Sequence, residues 1–81
     1  MPKINETNKF QGIKSKLDKS YLIRLEKLIR KIILNPEIGK PMIYERKGTR
    51  EVYLKPFRVS YNYDKLSDTL IFLDIYHKNH Q

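Results

Sequence analysis

Arg58 lies in the alternating segment Phe57–Tyr63, between Phe57 and Val59. A cation in a half-buried strand needs an anion, and a phosphate is one candidate. The neighbouring strand parities give this cation company. In 51–55, Val52 and Leu54 point one way while Glu51, Tyr53 and Lys55 point the other; in 57–63, Phe57, Val59, Tyr61 and Tyr63 share one face, with Arg58, Ser60 and Asn62 opposite. Assigning Val52, Leu54, Val59, Tyr61, Ile71, Leu73 and Ile75 to a covered face leaves Glu51, Tyr53, Lys55, Arg58, Ser60, Asn62, Asp74, Tyr76 and Lys78 on the open one. Guanidinium and ammonium groups hold phosphates and tyrosine rings stack on splayed bases, so such a face suits RNA. Pro56 is the place where a bulge would flip the parity between the two strands.

A plainer reading of the same residues stands beside this one. Arg58 pairs with Glu51 or Asp74 across the sheet. His77 shares the covered face with Ile75 and finishes its strand, and His80 lies beyond the strand end. Tyr44, Tyr53, Tyr61, Tyr63 and Tyr76 pack in the core or at an edge. Lys14, Lys16, Lys27 and Lys31 form a solvated helical face.

The elements that position these residues are legible from periodicity. Residues 1–8 carry little apolar signal and suit either a short strand at Lys3–Asn5 or an unstructured lead. Thr7 or Asn8 can cap a short helix bearing Phe10, Ile13 and Leu17 on one side. Ser20 is the expected cap of a main helix over 21–34. Leu22, Leu25, Leu28, Ile29, Ile32 and Ile33 form its apolar stripe, and Asn35-Pro36 ends it. The two helices read as a hairpin. After Gly39 the period falls to two: a short strand at Met42-Ile43-Tyr44, a turn at 46–49, then 51–55 and 57–63. A loop over 64–68 precedes the strand Thr69–His77, apolar on both faces. Helices followed by strands with short connections predict an α+β domain.

Composition narrows the function classes. Eighty-one residues make one domain, 1–81, that buries roughly 60–65% of its unfolded surface. With no cysteine and two histidines, neither a disulfide nor a zinc site is expected. The apolar runs 32–34 and 70–73 fall far short of the ~20 residues that span a bilayer, and no signal peptide opens the chain, so a cytoplasmic protein without membrane association is expected. The net charge of +8 is uneven: residues 1–58 hold 15 Lys and Arg against 6 Asp and Glu, and 59–81 hold 2 against 3. Such an excess favours a polyanion or an acidic protein partner.

The ordered fragments LNPEIGKPM, RKGTREVYLKPFRVSYNYD and LIFLDIYHK resemble the RelE/ParE toxin superfamily of type II toxin–antitoxin systems, over about Leu17 to His80. The resemblance implies a helical hairpin packed on one face of a three- to four-stranded antiparallel sheet. It also implies a cognate antitoxin, acidic and helical. In its RelE branch the toxin cuts mRNA in the ribosome without a metal or other cofactor; in its ParE branch it poisons DNA gyrase.

Carried over residue by residue, the strand arginine of the RelE branch falls on Arg58 and the basic residue ending the last strand on Lys78. Two strand lysines of the RNA-cutting members fall on Glu51 and Tyr53, and a C-terminal tyrosine would lie beyond Gln81. Other branches use a carboxylate and a histidine. The corresponding set here is Glu51 as base, His77 or His80 as acid, and Arg58 and Lys78 as phosphate clamps. Tyr53, Lys55, Arg50 and Tyr76 are the candidate RNA-binding residues. The expectation is a ribosome-dependent mRNA endoribonuclease; the alternatives are a gyrase inhibitor and a degenerate member that only binds nucleic acid or an antitoxin.

Overall fold

The computed structural model describes residues 1–43 and 48–77. Strand β1 (Lys3–Glu6) leads into helix α1 (Asn8–Lys14) and helix α2 (Lys19–Leu34). Strands β2 (Lys40–Pro41), β3 (Arg50–Leu54), β4 (Phe57–Asp64) and β5 (Thr69–His77) follow. They form one five-stranded sheet in the order β1-β5-β4-β3-β2. The α+β arrangement is the expected one, but the sheet is wider and mixed. The uncertain lead is a true strand, β1, and it runs parallel to β5, with Lys3 opposite Thr69 and Glu6 opposite Phe72. The remaining pairs are antiparallel.

Thr7 caps α1, its hydroxyl accepting from Phe10 N at 3.1 Å. The cap of α2 is Asp18, two residues before the expected Ser20. Its Oδ1 accepts from Tyr21 N at 2.7 Å, and its charge suits the positive end of a helix. The α2 stripe buries Tyr21, Leu25, Leu28 and Ile32, with Leu22, Ile29 and Ile33 packed at its margins. These join Phe10 of α1 against Val59, Tyr61, Leu70, Phe72 and Ile75 of the sheet. Each fully buried Leu or Ile contributes about 1.5–3 kcal/mol. Tyr21 enters the core because its hydroxyl donates to the Leu54 carbonyl and its ring meets Phe57 edge-on at 5.3 Å.

Two register features correct the expected strand assignments. The short strand after Gly39 is Lys40–Pro41, pairing with Glu51 and Arg50; Met42 and Ile43 lie outside it, and Tyr44 lies outside the described residues. More important, a bulge falls in β5 rather than at Pro56: Ser60 faces Asp74, but Tyr61 faces Phe72, so Leu73 is the extra residue. Leu70 and Phe72 therefore take the covered face in place of Ile71 and Leu73. Thr7 fixes this break in the ladder. Its N–H donates to Phe72 O at 3.0 Å and its hydroxyl to Leu73 O at 2.8 Å.

Candidate functional site

The face of the sheet away from the helices carries two adjacent rows. One is Glu51–Ser60–Asp74 and the next is Tyr53–Arg58–Tyr76, each spanning β3, β4 and β5. The expected grouping of these six residues is present, because all of them lie on the side of the Leu73 bulge where the strand parities agree. Glu51 and Arg58 are diagonal neighbours, within reach of long side chains.

Glu51 is the centre of the cluster. It is only 4% exposed. Its Oε1 lies 3.4 Å from Arg58 Nη1, and its Oε2 accepts from the Tyr76 hydroxyl. Arg58 is about one-third exposed along its side chain, yet its Nε is enclosed with no acceptor among the described residues. Tyr53 is half exposed beside it. Asp74 holds Lys9 of α1 at 3.2 Å through Oδ2, while its Oδ1 is enclosed without a donor among the described residues. The face thus presents a guanidinium between two tyrosines, backed by a carboxylate that already engages it.

The other expected site residues are placed elsewhere. His77 is opposite Phe57 on the covered face, its ring edge-on to Phe57 at 5.9 Å, so it is not brought together with Arg58. Arg50 is opposite Tyr61, again on the covered side, and serves the loop after α2: its Nη1 donates to Glu37 O at 3.0 Å and Gly39 O at 2.8 Å. Lys55 sits in the turn between β3 and β4, exposed, with its carbonyl accepting from Arg24 at 3.3 Å. Lys78 and His80 lie outside the described residues. Among the described residues no His, Asp and Glu side chains group as a metal site.

Sequence reasoning missed the role of Tyr61. Its hydroxyl donates to Pro36 O at 2.8 Å and accepts from Gly39 N at 2.9 Å. Burial pushes that hydroxyl above its ordinary pKa of 10.0, against the Gly39 N–H bond and the nearby Arg50, which lower it. The Pro36–Gly39 and FRVSY fragments are therefore halves of one structural lock. The only sequence hint was an aromatic hydroxyl placed at a core position, which must find polar partners.

The chain matches the family model described as the ParE toxin of the type II toxin–antitoxin system, parDE, over residues 7–81. No curated protein sequence matches. Among solved structures it is similar to the RelBE2 toxin–antitoxin complex of Mycobacterium tuberculosis, with 22% identity, a TM-score of 0.84, and 96% of this chain and 100% of that one covered. The intact Escherichia coli RelBE complex gives 11% identity and a TM-score of 0.82, covering 95% and 96%. A YoeB/ParE toxin from Agrobacterium tumefaciens gives 16% and 0.82, covering 93% and 96%. With two helices on a five-stranded mixed sheet of RelE-like fold and a family match across nearly its whole length, the chain belongs to the ParE toxin family within the RelE/ParE superfamily of type II toxin–antitoxin systems.

Proposed function

We propose that this chain arrests translation by cutting ribosome-bound mRNA, and that a cognate antitoxin holds it in check. The observation that carries the reading is the Tyr53–Arg58–Tyr76 row on the open face. A guanidinium binds phosphate through a planar fork of donors, and rings on either side offer stacking surfaces to single-stranded bases. Cleavage through a 2′-hydroxyl needs a base, an acid and a stabiliser for the developing phosphorane charge. Arg58 is the stabiliser. Glu51, the carboxylate in contact with it, is the base. With His77 turned to the covered face, the acid role passes to His80, and Lys78 is the second phosphate clamp.

The antitoxin follows from similar toxins that were solved as complexes with theirs, from E. coli and M. tuberculosis. The net charge of +8 favours an acidic partner.

A second reading, gyrase inhibition, is favoured by the ParE description of the matching family. Purified protein added to a reconstituted translation system and, separately, to a gyrase supercoiling assay divides the two. Cuts in the message with gyrase unaffected support the first. Inhibited gyrase with intact message replaces it by the second.

A further inference from the structure

We propose that Glu51 is an internal counter-anion that docks Arg58, so that the open face takes up a phosphate group only by displacing the guanidinium from this carboxylate. The inference rests on the reading of that face as an RNA site and concerns how the site is gated.

Three observations carry it. The first is the burial of Glu51, at 4% exposure, as the diagonal neighbour of the one arginine of the open-face rows. A carboxylate so placed competes with any phosphate for the same donors. The second is that the docked contact is a loose one. Arg58 Nη1 reaches Oε1 at 3.4 Å, well beyond the 2.7–2.9 Å of a close charge-assisted bond, and only one guanidinium nitrogen contacts the carboxylate. The third is that Arg58 Nε is enclosed without an acceptor among the described residues. A buried donor left unpaired is a standing cost, and moving the guanidinium outward to a phosphate relieves it. Glu51 does not lose all support when Arg58 leaves, because the Tyr76 hydroxyl still donates to Oε2. The arrangement therefore has two positions for one arginine: docked on Glu51, or extended onto a ligand's phosphate.

The test is the affinity of a short fluorescently labelled single-stranded RNA for wild type, Glu51→Gln, Arg58→Ala and the double variant, read by anisotropy. Glutamine keeps the shape and can still accept from Tyr76, but carries no charge. Glu51→Gln is expected to bind roughly tenfold tighter, the scale of one hydrogen bond to a charged group, and the double variant is expected to lose that gain. Should Glu51→Gln fail to fold, Glu51→Asp withdraws the carboxylate by one methylene and is expected to tighten binding by a smaller factor. Unchanged or weaker binding in the folded Glu51 variant, with Arg58→Ala still weakening binding, overturns the counter-anion and leaves the RNA face standing. Binding indifferent to both residues overturns both.

Discussion

Tyr61 and Gly39 are fitted to one another without spare room. The Tyr61 hydroxyl accepts the Gly39 N–H at 2.9 Å, and a Cβ built on Gly39 would stand 2.7 Å from that oxygen and 2.8 Å from the ring. The contact joins the loop after α2 to the centre of β4, one residue from Ser60 and three from Arg58. It sets how α2 returns to the sheet and, through β3 and β4, the level at which the open-face rows lie.

Gly39→Ala is therefore expected to destabilise the protein by about 1–3 kcal/mol, the cost of overpacking a filled site. Arg50 Cβ is 3.0 Å from the same added atom, so neither neighbour can yield alone. Urea denaturation of the two proteins measures the difference. Gly12→Ala is the control, since nothing lies within 4 Å of its added Cβ.

Tyr61→Phe removes the partner of both Gly39 N–H and Pro36 O, at an expected cost of about 1–3 kcal/mol. It should also change the alkaline limit of stability. Burial raises the folded-state pKa of Tyr61 above 10.0, so its contribution is complete below pH 10.0 and is lost as pH rises through the folded value. Unfolding free energy followed from neutral pH to above 10.0 should fall more steeply in wild type than in Tyr61→Phe. Tyr21, raised chiefly by burial, and Tyr63, raised chiefly by its hydrogen bond to Asp68, add loss of the same sign in both proteins.

Thr7→Val keeps the shape of the side chain but removes the α1 cap and the donor to the Leu73 carbonyl. A cost of about 1–2 kcal/mol is expected, by thermal or chemical unfolding. Because Thr7 holds the bulge, amide exchange should accelerate around Phe72–Asp74 more than in the β3–β4 hairpin.

The position of this bulge explains where sequence reading succeeds. Strand β5 is legible to its ends, Thr69 and His77, because it is a dense run of apolar and β-branched residues. The faces of Leu70–Leu73 are not legible. The bulge carries no Gly or Pro, and the group that stabilises it, Thr7, is 66 residues away in sequence. The open-face rows escape this error because Glu51, Tyr53, Arg58, Ser60, Asp74 and Tyr76 all lie on the near side of Leu73. Arg50 and Lys55, at the ends of β3, do not join them, since one is recruited by the α2 loop and the other enters the turn. The α2 cap is Asp18 rather than Ser20: both residue types cap well, so residue type alone does not separate them, and it is Asp18 Oδ1 that accepts the Tyr21 N–H.

The pairing of Arg58 with Glu51 was one of two readings open from sequence, and the contact is present. It does not by itself make Arg58 a purely structural residue. The Arg58 side chain is one-third exposed, in register between two tyrosines, as a phosphate ligand requires.

Primer extension on mRNA from programmed ribosomes, with wild type and Arg58→Ala, tests the central claim most directly. Both proteins are assayed below the melting temperature of the variant, because removing the guanidinium leaves the buried Glu51 carboxylate one partner fewer. Wild type is expected to cut the message, and Arg58→Ala to cut it about 10²–10³-fold more slowly, the usual loss on removing a transition-state charge stabiliser. A folded Arg58→Ala that cuts as fast as wild type, or a wild type that leaves the message intact, contradicts the account.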